Sequence, residues 1–426
     1  GSSEYIAVPV TSSLPTLTAN GESEPLKKDN ECVREGEARR QLLGVPLSTL
    51  LTLTGLDETH SLFRKDSRRR CLSFFVTPLA IGSIIFLFIR AMGLLMKEEH
   101  DRPSFSYEWA ERLAYAFLAL HAAGAAFALS KWTRNLFFTD FFSALLKAGK
   151  QVPAATRRSG MIYSVLVAAV VAICSEGSAK RVVYDGRAAS ANNQTTSSWW
   201  EATPSAVVVD GAFEVATAAW AALISAVATA IYVRLQSALS DQLKTFNEEV
   251  NVAVDSQEGV TSELNERHSR LIAAAALLAE RVSGFASIGG IAAIAANAFI
   301  MFISISYKEQ HSGFTTTMTI LWTIVTIGYM ASFFITASNV QKEINQTTIL
   351  LTKNGERLVA SEKTEEDCRN RHDILSRTRS AASHVTLMQC LRLTQWRAQF
   401  LMAVPPLIGF PLIIVRLLLA SRNGEH

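Results

Sequence analysis

Residues 282–307 read VSGFASIGGIAAIAANAFIMFISISY, a run without one charged side chain. About 18 apolar residues are enough for a helix to cross the hydrocarbon core, and only a helix satisfies its own backbone polar groups there. Working outward from this run, six more recur at 72–96, 110–132, 160–177, 205–233, 315–340 and 398–421. Seven such runs predict an all-α integral membrane protein of seven transmembrane helices. Composition agrees, since hydrophobic residues make up 49% of the chain and charged residues 19%, which is apolar beside soluble averages. A net charge of +3 gives no basis for a nucleic-acid partner.

Basic residues cluster at cytoplasmic span ends, so they set the orientation. Arg64, Lys65 and Arg68 to Arg70 precede the first run, and Lys131, Arg134, Lys147, Lys150, Arg157 and Arg158 follow the second. Loops 234–281 and 341–397 carry Arg234, Lys244, Arg267, Arg270, Arg281, Lys342, Arg392 and Arg397. By contrast, 97–109 is dominated by Glu98, Glu99, Asp101 and Glu108. The amino terminus is therefore expected inside and the carboxyl terminus outside, opposite to a G-protein-coupled receptor. Loop 178–204 falls outside, where the sequon at Asn193 would accept a glycan. A multi-pass protein of the plasma membrane is expected, with lipid as its surroundings.

Five domains follow. Residues 1–38 lack apolar periodicity and predict a disordered cytoplasmic tail. Residues 39–63 form an amphipathic pre-membrane helix, interrupted near Pro46. Residues 64–340 hold helices 1–6 with cytoplasmic extensions, because Leu235, Leu239, Leu243, Phe246 and Val250 continue past the fourth run at helical spacing, as do Leu264, His268, Leu271, Ala275 and Leu278 before the fifth. Residues 341–397 carry anchor helices, first through Ile344, Thr348 and Leu351, then through Leu375, Ala381, Val385, Met388, Leu391 and Thr394. Since none of these stripes can bury itself alone, they predict one cytoplasmic bundle. Residues 398–426 are the last helix and a short outer tail.

This arrangement, with the segment Pro46 to Leu56 and the pattern Glu266-Arg267-His268-Ser269-Arg270-Leu271 ahead of Phe285, resembles the insect gustatory and odorant receptor superfamily. That family carries Thr, Tyr, five apolar residues, Gln and Phe in its last span. Here the matching positions are Gly409, Phe410, Pro411 to Val415, Arg416 and Leu417, so the spacing is kept and the identities differ. The resemblance is to a divergent gustatory receptor-like protein. It implies a homotetrameric, ligand-gated ion channel whose last helices line one pore, whose cytoplasmic bundles join the subunits, and whose outward-facing pocket takes a small molecule. A nonconducting receptor or scaffold of the same fold is the alternative.

Val404, Leu407, Ile408, Leu412 and Val415 are the residues expected at a hydrophobic gate, although lipid contact explains them equally. Four copies of Arg416 around an axis would oppose cations; otherwise Arg416 snorkels to headgroups. For the pocket, Asp210 and Glu214 share one helix face and are costly within a span. Phe213, Trp220, Asn297, Phe302, Met318 and Trp322 complete an aromatic wall with few polar groups. Water at a helix end, or a structural hydrogen bond, explains the two acids as well. Hydrolases of inverted seven-span topology need clustered histidines and acids to hold zinc, and the eight histidines here are dispersed. No enzyme activity, metal or cofactor is expected.

Overall fold

A computed structural model describes residues 24–57, 67–96, 105–149, 161–176, 204–256, 260–307, 313–353, 365–384, 386–387, 391–392 and 395–423. In chain order the helices are α1 (Glu24–Leu53), α2 (Ser67–Met96), α3 (Tyr107–Arg134), α4 (Phe137–Ala148), α5 (Met161–Glu176), α6 (Pro204–Asp255), α7 (Ser262–Ser306), α8 (Gly313–Lys353), α9 (Glu365–His384) and α10 (Gln395–Asn423). A two-residue antiparallel ladder, Thr386–Leu387 against Leu391–Arg392, lies between α9 and α10. Among the described residues the fold is all-helical apart from it.

Among the described residues five helical stretches are long and apolar enough to cross a membrane: Trp109–Arg134, Val215–Ala253, Ser262–Ser306, Thr319–Lys353 and Trp396–Leu419. Shorter apolar stretches, Ile81–Gly93 and Met161–Glu176, fall on the first and third expected runs. At 1.5 Å per residue, the 52 residues of α6 extend about 78 Å, against a hydrocarbon core of about 30 Å. More than half of α6 must therefore pack elsewhere.

It packs at the base of the molecule, the end that holds α1, α4 and α9. Leu239, Leu243, Phe246 and Val250 of α6 are buried there with Leu271, Ala275 and Leu278 of α7, Ile344 and Leu351 of α8, and Ile374 of α9. Polar pairs fix the register of this bundle. The Asn247 amide donates to the Glu343 carbonyl (2.9 Å), and the Thr347 hydroxyl donates to Asn247 Oδ1 (2.6 Å). Asn265 donates to Asn370 (2.9 Å), while Thr378 meets Nε2 of His268 at 3.1 Å. The fourth amphipathic stretch, expected to continue to Thr394, stops at His384 and gives way to the ladder.

Two further expectations are corrected at the base. Residues 24–38, expected within a disordered tail, are helical, and Ala38, Leu42 and Leu43 are buried. Residues 1–23 and 58–63 of the first two expected domains lie outside the described residues. A break divides α1 at Gly44, whose φ of 78° is open to glycine without penalty, two residues before the anticipated Pro46. Secondly, Phe137 to Ala148 is an element missed in the sequence, a helix burying Phe137, Phe138, Phe141 and Leu145.

Those two helices complete each other. The residue preceding α4, Leu136, offers no side-chain cap, so the free amides of its first turn need an acceptor from elsewhere. Glu35 of α1 supplies it: one carboxylate oxygen accepts from the Thr139 amide (2.8 Å) and from the Thr139 hydroxyl. Nearby, Arg39 donates to Ser48 (3.0 Å) and pairs with Asp57 (2.6 Å), and Arg234 of α6 donates to the Leu42 carbonyl (2.8 Å).

In the middle of the bundle small residues permit close approach. A Cβ on Gly289 would stand 2.6 Å from the Phe333 ring and 3.2 Å from His121; one on Gly290 would stand 3.1 Å from Phe334. Phe333 consequently reaches Phe285 (5.3 Å between centroids), Tyr232 (5.3 Å) and His121 (5.7 Å).

Two predictions follow from this packing. Gly289→Ala should cost on the order of 1–3 kcal/mol through overpacking, read as a lower thermal-unfolding midpoint of the detergent-purified protein. Gly284→Ala, where nothing lies within 4 Å of the added atom, should leave the midpoint unchanged. At the base, burial pushes the Glu35 carboxyl above its ordinary value, opposed by the hydrogen bonds from Thr139. The folded state then holds that proton more tightly than the unfolded one, so this contribution is complete below the ordinary carboxylate range and is lost as pH rises through the raised value. Relative to Glu35→Gln, the wild-type midpoint should fall across that window; parallel pH profiles would contradict the assignment.

Candidate functional site

Opposite the base, the crown gathers aromatic side chains from α3, α7 and α8. Ser106 caps α3 by accepting from the Trp109 amide (3.1 Å), which sets Trp109 at the start of the helix. Its indole packs edge-on against Phe299 (5.5 Å) and Phe302 (6.5 Å) of α7. One to two turns further, Phe117 stacks on Phe299 at 6.0 Å and Tyr115 meets Trp322 of α8 edge-on at 5.6 Å. Offset and edge-on pairs of this kind add directional preference to apolar burial.

Polar groups enter at three points. The Asn297 amide donates to Thr326 Oγ1 at 2.7 Å, and Thr326 in turn donates to the Trp322 carbonyl at 3.0 Å. Deeper still, His121 stacks on Tyr329 at 4.6 Å. It is 1% exposed, and neither ring nitrogen finds a partner among the described residues. Near the rim, the Tyr307 hydroxyl donates to the Phe105 carbonyl, and Tyr107 meets the Tyr307 ring edge-on at 5.8 Å.

The residues expected to line one pocket separate into several places. Asn297 and Trp322 are joined through Thr326, and Phe302 is buried in the crown with Trp109. Trp220 instead directs its indole N–H to the Thr54 carbonyl (3.4 Å) beside α1. Phe213 is 57% exposed and meets Phe86 of α2. The side chains of Asp210, Glu214 and Met318, and all of Asn193, lie outside the described residues. Trp109, Tyr115, Phe117, Phe299 and Thr326 were missed, although the aromatic spacing of α3 and α7 was there to be read.

The last helix differs from the others. Only 11% of its most apolar stretch is buried, against 39–61% for the other four span-length stretches. It lies against α7, with Gly409 next to the Ala298 carbonyl and Met301, and Leu412 and Ile413 against the crown. Leu407, Ile408 and Val415 are exposed, Val404 is half-buried, and Leu412 turns towards its own subunit. Arg416 does the same: its guanidinium donates to the Ser306 carbonyl and lies 3.8 Å over the Tyr307 ring.

A family model described as Caenorhabditis protein of unknown function, DUF267, matches residues 42–409. The chain belongs to the DUF267 family. No curated protein matches this DUF267 sequence. Among solved structures, it is similar to the insect olfactory receptor OR5 from Machilis hrabei in complex with eugenol, with a TM-score of 0.62 and 12% identity over 92% of this chain and 100% of that one. A second structure of the same receptor gives a TM-score of 0.59 and 11% identity over 92% of this chain and 99% of that one. At such identity the likeness shows the fold alone, and this DUF267 protein shares the helical fold of that receptor.

Replacing Thr326 by Val should leave the Asn297 amide without its acceptor, at a cost of roughly 0.6–2 kcal/mol. Asn297→Leu combined with Thr326→Val should recover part of that loss, so the cycle of thermal midpoints should be non-additive.

Proposed function

We propose that this DUF267 protein is a subunit of a small-molecule-gated ion channel in the plasma membrane, a homotetramer whose last helices line one central pore. The carrying observation is the likeness to an insect olfactory receptor along nearly the whole chain, together with a last helix whose apolar surface its own subunit leaves open. An exposed apolar surface of that size calls for lipid or another protein surface. A helix seated between lipid on one side and its symmetry mates on the other satisfies both.

In this reading Leu407, Ile408 and Val415 face the shared axis and gate it by dewetting, with Val404 below them. Leu412 and Arg416, turned towards their own crown, support the gate from behind. The base bundle joins the subunits on the cytoplasmic side, with the amino terminus inside and the carboxyl terminus outside. The eugenol complex of the Machilis receptor supports a small organic ligand. A crown of Trp109, Tyr115, Phe302 and Trp322 with Asn297, Thr326 and His121 fits a molecule with one aromatic ring and one hydrogen-bonding group. Asp210, Glu214 and Met318 remain proposed contributors from α6 and α8, whereas Phe213 and Trp220 stand apart from the crown.

Imaging of the detergent-purified protein should show four copies around an axis bordered by α10, and planar-bilayer recordings should show unitary currents. Isolated monomers would overturn the assembly; tetramers without current under a broad panel of aromatic ligands would favour the nonconducting receptor. Orientation is tested separately by epitope access at both termini. Asn193→Gln should abolish an endoglycosidase-sensitive mobility shift if loop 178–204 is external.

A further inference from the structure

From residue 400 to residue 420 the last helix has one polar side chain, Arg416. A lone cation in an apolar run is costly unless it is paired or reaches water. Arg416 is half-buried rather than extended into solvent, and its guanidinium is aimed at the end of α7. The final carbonyls of a helix have no intrahelical partner and carry the negative end of its dipole. One of these, at Ser306, accepts from Arg416. The same guanidinium lies over the Tyr307 ring at 3.8 Å, an attractive geometry for a cation and an aromatic face.

The chain of contacts does not stop at Tyr307. Its hydroxyl donates to the carbonyl of Phe105, a non-glycine residue held at a φ of 68° immediately before the cap of α3. Its ring meets Tyr107 and also Phe302, at 6.2 Å. A single side chain of α10 is thus joined to the end of α7, to the start of α3 and, through Phe302, to Trp109 in the crown. Below Arg416 the outer part of α10 touches its subunit through Gly409, Leu412 and Ile413, contacts without directional polar bonds.

We propose that Arg416 is a tether that fixes the outer half of the last helix to the crown of its own subunit through Ser306 and Tyr307. Arg416 is here a positioning residue: it holds α10 where the crown's aromatic side chains place the end of α7. Its consequence for conduction rests on the channel reading, because releasing the tether would free the helix proposed to line the pore. The tether itself is a property of one subunit and can be measured without any ligand.

The test uses the full chain in detergent and in proteoliposomes, with Arg416→Gln, Arg416→Lys, Tyr307→Phe and Tyr307→Leu. Hydrogen exchange should quicken in the outer turns of α10 by roughly 5- to 30-fold in Arg416→Gln, the factor for a contact of one to two kcal/mol, and should stay unchanged in α9. Tyr307→Leu should do the same. Arg416→Lys, which keeps the charge and loses the flat stacking face, should fall between. Tyr307→Phe keeps the ring and loses only the Phe105 bond, so exchange should quicken at the start of α3 and not in α10; this variant also guards against general misfolding.

Ligand-free flux from KCl-loaded vesicles separates the two readings. Faster α10 exchange with raised flux supports both tether and channel. Faster exchange with no ligand-free flux from any variant or from wild type upholds the tether and overturns its coupling to the gate, the channel itself being decided by the recordings with the ligand panel. Unchanged exchange in Arg416→Gln and Tyr307→Leu overturns the tether, whatever the flux.

Discussion

The contact on which the rest of the bundle depends is the seating of two phenylalanine rings on two adjacent glycines. Phe333 and Phe334 of α8 occupy the space that side chains at Gly289 and Gly290 would fill. Between helices surrounded by lipid there is little hydrophobic driving force, so association rests on van der Waals fit and on polar bonds made across the interface. Removing two side chains from α7 lets α8 come close enough for Phe333 to touch three other helices' aromatic residues at once. Everything towards the crown inherits its spacing from that point, including the reach of Asn297 to Thr326 and of Trp322 to Tyr115. Towards the base the same two helices diverge into partners of α6 and α9.

How much of this was legible in the sequence depends on how local each signal is. Five of the apolar runs were, because a helix in lipid needs only its own side chains to declare itself, while the first and third carry shorter apolar stretches among the described residues. So were the extensions of α6 and α7: Leu239, Leu243, Phe246, Val250, Leu271 and Leu278 stood at helical spacing and all are buried. The helix from Glu24 was hidden, because what orders it at Glu35 and Arg39 is a pair of polar side chains with partners 104 and 18 residues away. Four closely spaced phenylalanines in α4 sat between basic residues and were absorbed into a loop. At the site, Phe302, Trp322 and Asn297 were visible as polar or aromatic residues on span faces. Trp220 was read from depth alone, and its indole is directed instead by the Thr54 carbonyl just after α1. Arg416 was singled out by its place in a divergent signature, but its bond partner lies 110 residues away on another helix.

The sequence signature and the structure also weigh differently on the last helix. A pattern of apolar residues describes α10 as well as it describes α7 or α8. Only the structure distinguishes them, since α7 and α8 bury their faces inside the subunit and α10 leaves most of its surface open. An apolar face left open on a membrane helix is covered by lipid or by another protein surface. The divergence of Gly409 to Leu417 from the receptor signature accordingly falls on the helix with the most open surface, while the helical framework behind it is kept.

The position of α1 has a consequence for how the chain is made. Its Leu42 carbonyl meets Arg234, 192 residues later, and Glu35 meets Thr139, 104 residues later. At a synthesis rate of about 5–20 residues per second, Thr139 emerges roughly 5–20 s after Glu35, and Arg234 roughly 10–40 s after Leu42. Until α4 has emerged, a segment with a glycine hinge and a row of leucines lacks the helix that Glu35 completes. Helix α1 is therefore docked in full only after α4 and much of α6 have been made.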